Sequence, residues 1–282
     1  MGRFSDVLLT VDFDRTLTGP DSTIPERNIK AIEEFIAQDG AFTVNTGRSV
    51  ATFWKYLDTI PVNVPFLLYN GSAAYEKGAL TQCRTIDLDV WQTMKMMQDL
   101  FPDMNLEIQG PQVHYLIDHR PEMIALYDAL QWRYALAEFG QEVGPFLKFS
   151  FFGTARDTTM AQFFSGSDEE LRRMDEAEQK IRQLLGDKVE VFRAAPRIID
   201  VHAKGVSKIN AARQLQKTLG RKILVCVGDA ENDISMLDGA DYAFCPADGV
   251  VASRYETVCP CAEGAVADVI YKKIPQILMN EP

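Results

Sequence analysis

The run Val7-Leu8-Leu9-Thr10-Val11 ends in Asp12-Phe13-Asp14, and few local features limit a fold more. A continuous apolar stretch of this length reads as a strand buried on both faces, which belongs in a parallel sheet covered by helices. Both acids then arrive at the strand's carboxyl end, where open α/β sheets hold their ligands. The chain turns at that point, so Asp12 and Asp14 can converge on one metal ion or one electrophile. Taken alone, the pair reads more readily as a turn cap at Asp14 and a solvated strand end at Asp12.

Three further segments supply company. Ala41-Phe42-Thr43-Val44-Asn45-Thr46-Gly47-Arg48 is a second apolar strand ending in a hydroxyl, a glycine and a cation. Thr46 can donate a hydrogen bond, Gly47 lets a backbone N–H approach an anion, and Arg48 offers a planar fork for phosphate or carboxylate oxygens. As local structure alone, Thr46 would be a helix N-cap. Gly205-Val206-Ser207-Lys208 precedes a helical stretch from Ile209. A lysine in a helix's first turn is disfavoured by the macrodipole, so a nearby anion is expected to compensate it. Finally, Ile223-Leu224-Val225-Cys226-Val227 delivers Gly228 and Asp229 to another strand end, and Asn232 and Asp233 open the next helix.

These four pieces, in this order, resemble the haloacid dehalogenase superfamily of phosphotransferases, and within it the Cof-type (subclass IIB) branch, which carries its cap after the second motif. The resemblance covers nearly the whole chain. Tyr69-Asn70-Gly71-Ser72 matches a loop that this branch uses near its active site, whereas Arg15 stands where most members have glycine. The resemblance implies an α/β fold with a Rossmann-like parallel core and an inserted α/β cap. It also implies a phosphatase that hydrolyses a small phosphorylated metabolite, a sugar phosphate or nucleotide-derived ester, through an aspartyl-phosphate. A phosphomutase of the same superfamily, or a silent sensor of a phosphorylated ligand, are the alternatives.

Phosphoryl transfer asks for an in-line nucleophile, a general acid and positive charge around the equatorial oxygens. By resemblance Asp12 is the nucleophile and Asp14 the general acid and base. Mg2+ is the implied cofactor, held by the carboxylates of Asp12 and Asp229 and the backbone carbonyl of Asp14, with Asp233 behind them orienting a water. Lys208 and Thr46 would hold the phosphate, with Gly47, Arg48 and Asn232 adding contacts. No Cys/His set has zinc spacing, and His114, His119 and His202 are too scattered for a metal site or triad.

Strand and helix signals alternate from Val7 to about Tyr75 and again from Arg197 to the end, which places a catalytic core at 1–84 and 194–282. The segment 85–193 contains none of the motifs and reads as the cap, whose motion would open and close the site. Within it Arg133, Lys148 and Arg156, flanked by Trp132 and Phe152, are candidates for reading the rest of the substrate. Met94, Met96 and Met97 read as cap core. Two domains also suit 282 residues, against about 100–200 for one. A net charge of −11 argues against nucleic acid or an anionic membrane as partner. Five cysteines without framework spacing, and no leader or spanning segment, make the cytoplasm the expected location.

Overall fold

The computed structural model describes residues 2–117, 121–141, 143–153 and 165–280; Arg156 and His119 lie outside them. In chain order its strands are β1 (Val7–Val11), β2 (Ala41–Val44), β3 (Phe66–Leu68), β4 (Ala73–Glu76), β5 (Ala79–Cys83), β6 (Asn105–Gln109), β7 (His114–Leu116), β8 (Tyr134–Leu136), β9 (Lys148–Phe152), β10 (Val189–Ala195), β11 (Ile198–Ala203), β12 (Ile223–Val227), β13 (Tyr242–Pro246) and β14 (Glu256–Val258). Its helices include α1 (Glu26–Ala37), α2 (Val50–Phe53), α3 (Val90–Leu100), α4 (Pro121–Leu130), α5 (Asp168–Leu185), α6 (Lys208–Leu219), α7 (Ile234–Asp238), α8 (Ala265–Asp268) and α9 (Ile274–Asn280). The chain divides into two compact units, one of residues 1–47, 56–81 and 207–282, the other of 48–55 and 82–206.

In the first unit β14-β13-β12-β1-β2 form one sheet, parallel throughout. Every residue of β1, β2 and β12 is buried, as their unbroken apolar runs require of strands covered on both faces. A parallel bridge between Asn45 and Leu67 continues the order to β3. Because β1, β2 and β12 run the same way, the segments after Val11, Val44 and Val227 emerge at one edge. Sequence order thereby becomes a spatial cluster.

The second unit holds a six-stranded sheet, β10-β11-β9-β6-β7-β8, antiparallel except for the β7–β8 pair. Phe149, Phe151, Ile199 and Val201 pack in one apolar cluster with Met94 and Met97 of α3 and with Met174, Ala177 and Ile181 of α5. Met96 packs at the margin of that cluster, so the methionine stripe is core.

The expected boundary at 194 is corrected. β11 pairs with β9, Asp200 opposite Ser150, and β10 with β11, so 194–206 belongs to the second unit. The cue was the alternation Ile199-Asp200-Val201-His202, apolar residues to the cluster and polar ones to the other face, which suits an antiparallel strand. Residues 48–55 also fall in the second unit. Their contacts explain it: Ser49 Oγ bonds His114 Nε2 at 2.5 Å, Arg133 N–H donates to Ala51 O at 3.2 Å, and the Trp54 indole donates to Gln131 O at 3.1 Å.

Candidate active site

Asp12 follows β1 directly, and its N–H donates to Val227 O of β12 at 2.8 Å. The chain then makes a wide turn over Phe13–Leu17. Arg15 sits there at φ +57°, a left-handed conformation that glycine adopts without cost. Asp12 is buried and Asp14 half-buried.

Lys208 is the first residue of α6, whose N-cap Ser207 accepts from Asn210 N–H at 3.2 Å. Its side chain is 1% exposed, and Nζ donates to Asp12 Oδ1 at 2.5 Å and to Asp233 Oδ1 at 2.6 Å. The anion expected near this helix start is therefore a pair of carboxylates. Asp233 is fixed from its other oxygen as well, since Oδ2 accepts from the N–H groups of Asp229 at 3.0 Å and Ala230 at 3.1 Å. Asp229 Oδ1 accepts from the Thr16 hydroxyl at 3.0 Å. Thr16 is not among the expected site residues, though it stands in the same Asp-x-Asp-x-Thr segment.

Gly228 is required by this crowding. A Cβ there would lie 2.6 Å from Asp233 Cβ and 2.9 Å from its Oδ2, so Gly228→Ala must displace the aspartate. The substitution is expected to cost about 1–3 kcal/mol in stability. It should also slow turnover about 10–100-fold by moving Asp233 and, with it, Lys208. Thermal melts and steady-state kinetics on the purified variant check both.

Thr46 is buried, its N–H donating to Leu67 O at 2.9 Å and its O accepting from Asn70 N–H at 2.9 Å. A Cβ on Gly47 would lie 2.8 Å from Asn70 Oδ1, and one on Gly71, at φ +92°, would lie 2.6 Å from Ser207 O. The Tyr69–Gly71 loop thus packs between the Thr46-Gly47 segment and the start of α6. Asn232 is half-buried in the turn Glu231–Asp233. Arg48 falls in the second unit.

Electrostatically the cluster carries more negative charge than Lys208 offsets. Burial, then Asp233, hold the Asp12 carboxyl well above its ordinary range, although Lys208 pulls it down. Asp229 is pushed up to about 7 by burial and by Asp233. For Lys208, burial opposes the charge, but Asp12 and Asp233 outweigh it and hold its pKa above the usual lysine value. Oxygens of Asp12, Asp229 and Asp233 lie within 4.8 Å of one another. An excess of buried carboxylate with hard oxygen donors in reach of a common point fits a divalent cation such as magnesium.

In the second unit the candidate readers differ in position. Lys148 Nζ is engaged with Asp200 Oδ2 at 2.9 Å and buried, and Arg133 is exposed with its guanidinium 4.8 Å from the Trp54 ring centre. His114 is buried, Nε2 on Ser49 and Nδ1 2.8 Å from the Tyr127 hydroxyl, while Glu107, itself bonded to Tyr127, lies 3.4 Å away. Burial raises the Glu107 pKa, but His114, with Lys148 and Gln109, outweighs it and the net shift is down.

A parallel α/β core with acids at its strand ends, and a second α/β unit inserted in the chain between its strands, is the architecture of a two-domain α/β enzyme. The chain belongs to the haloacid dehalogenase-like hydrolase family, whose sequence profile matches residues 9–254, and within it to the Cof-type branch. It is 24% identical to the 5-amino-6-(5-phospho-D-ribitylamino)uracil phosphatase YbjI of Escherichia coli, over 94% of this chain and 95% of that one. Against YcsE of Bacillus subtilis, which bears the same phosphatase name, identity is 23% over 83% and 80%. The solved subclass IIB sugar phosphatase BT4131 superposes with a TM-score of 0.75 at 20% identity, covering 96% of this chain and 98% of its own. No helix among the described residues is long and apolar enough to cross a membrane.

Proposed function

We propose that the protein is a magnesium-dependent phosphatase acting on a small phosphorylated metabolite through an aspartyl-phosphate on Asp12. The observation that carries this reading is Lys208 held between Asp12 and Asp233, with Asp229 alongside. That arrangement offers a carboxylate nucleophile beside a buried cation. The names of the relatives, a ribitylamino-uracil phosphatase and a sugar phosphatase, favour a polyol or sugar phosphate as the substrate class.

In the first step a carboxylate oxygen of Asp12 attacks phosphorus, the ester P–O bond breaks, and Asp14 gives its proton to the leaving oxygen. In the second, Asp14 takes a proton from water, the water oxygen attacks phosphorus, and inorganic phosphate leaves with Asp12 regenerated. Lys208 holds the phosphate oxygens and offsets the repulsion between a dianionic substrate and the carboxylates, which amounts to several kcal/mol at an effective interior dielectric of about 20. Thr46 adds a hydroxyl and Gly47 a backbone N–H, while Asn232 extends the set. Asp12, Asp229 and the Asp14 carbonyl would hold magnesium, which supplies further positive charge toward the phosphoryl oxygens, and Asp233 orients the group around it.

Phosphate release from a broad panel of phosphate esters, with magnesium and with chelator, tests the reading. Release is expected with magnesium and not with chelator, sugar and polyol phosphates ranking first; silence across the panel refutes it. Magnesium without substrate should also raise Tm, since saturation at ~100 Kd corresponds to about 2.7 kcal/mol.

A further inference from the structure

One residue outside the proposed phosphate and metal contacts bonds the backbone on both sides of the Lys208–Asp12 pair. Asn45, fully buried, directly follows β2. Its N–H donates to Val11 O at 2.8 Å, the carbonyl immediately before Asp12. Its side-chain Nδ2 donates to Lys208 O at 2.9 Å and faces Met236 Sδ at 3.6 Å. Both neighbours of Nδ2 are acceptors, which fixes the amide orientation, because the flipped amide would set oxygen against the Lys208 carbonyl. Asn45 thus ties Val11, the residue before Asp12, to Lys208, and the Asp12 and Lys208 side chains meet at 2.5 Å.

We infer that Asn45 is a positioning residue that sets the distance between the Lys208 ammonium and the Asp12 carboxylate. The lysine stem is long and α6 follows β11, not a strand of the parallel sheet, through a turn at Gly205, so the Asp12 and Asp233 contacts alone leave its backbone origin adjustable. The hydrogen bond from the Asn45 amide to Lys208 O removes that freedom at the point from which the side chain springs. Alanine deletes this bond and leaves space, leucine deletes it while keeping the branched outline of the amide at somewhat larger volume, and the main-chain bond to Val11 survives either way.

The consequence for turnover rests on the phosphatase reading; the consequence for geometry does not. Asn45→Ala and Asn45→Leu are to be compared with wild type using p-nitrophenyl phosphate and magnesium, together with a crystal structure of each variant. Both are expected to lose about 10–100-fold in kcat, with KM within about threefold of wild type, the pattern of an interaction realised mainly in the transition state. Lys208 Nζ should leave hydrogen-bonding distance of Asp12 in both. If the alanine chain does not fold, the leucine chain, which fills the space, is read in the same way. Wild-type kcat in the leucine variant, or a Lys208 that keeps its place, overturns the inference. A silent wild-type enzyme instead removes the phosphatase reading, and the Lys208 position in the leucine variant then decides the inference by itself.

Discussion

Lys208→Met is expected to lower turnover by about 10³-fold, as removal of an electrostatic group aimed at the transferring phosphoryl would. The same change should destabilise the magnesium-free protein by about 3–5 kcal/mol, because it leaves buried carboxylates without their cation. The partners are Asp12 and Asp233, at 2.5 and 2.6 Å, and both are buried. Methionine fills nearly the same space, so the loss isolates charge from packing. Added magnesium should recover part of the stability by restoring positive charge, and little of the rate. Denaturant melts with and without magnesium, alongside kinetics, separate the two effects; a variant as stable as wild type in chelator would contradict the burial argument.

Asp12→Asn is expected to cost roughly 10⁴–10⁶ in kcat, the scale seen when a nucleophile is removed, while the fold survives. Here the sign for stability is opposite. Asp12 lies among Asp233, Asp229 and Asp14, and burial together with these charges outweighs the help of Lys208. A carboxyl whose folded pKa lies above its unfolded value costs stability at every pH above that unfolded value, so neutralising it relieves repulsion at neutral pH. The variant should therefore melt no lower than wild type in chelator, and gain less than wild type from magnesium. A variant that turns over at the wild-type rate would remove the covalent mechanism; one that is inactive because it is unfolded would show in the same melts.

Part of the carboxylate cluster follows from local pattern plus one topological rule, and the rest came from the resemblance of the motifs to a family. Unbroken apolar runs place β1, β2 and β12 in a parallel sheet, and parallel strands bring the residues after them to one edge. That rule brings the segments of Asp12 and of Asp229 and Asp233 together; Lys208 follows β11 of the other sheet, so its place beside them came from the family resemblance, and the macrodipole argument anticipates only that it has an anionic partner. The features that sequence did not yield depend on partners distant in the chain. β11 looked like the return of the core, yet which sheet a strand joins is decided by complementary faces 50 residues away, Asp200 opposite Ser150. Asn45 and Thr16 act through single hydrogen bonds to Lys208 and Asp229, which leave no periodic trace. Lys148 looked available for substrate, but its ammonium is committed to Asp200. A buried ion pair of this kind is invisible to composition.

The covalent step on Asp12 is tested most directly by the intact mass of Asp14→Asn mixed with p-nitrophenyl phosphate and magnesium and quenched in acid. The nitrophenolate leaves without a proton, so Asp12 can still be phosphorylated, whereas water attack lacks its base and the phosphoryl group should remain on the protein. A gain of one phosphoryl group, mapped to the peptide that contains Asp12, is the expected result. Nitrophenolate release with no covalent adduct at any time, or an adduct on another residue, would contradict the mechanism.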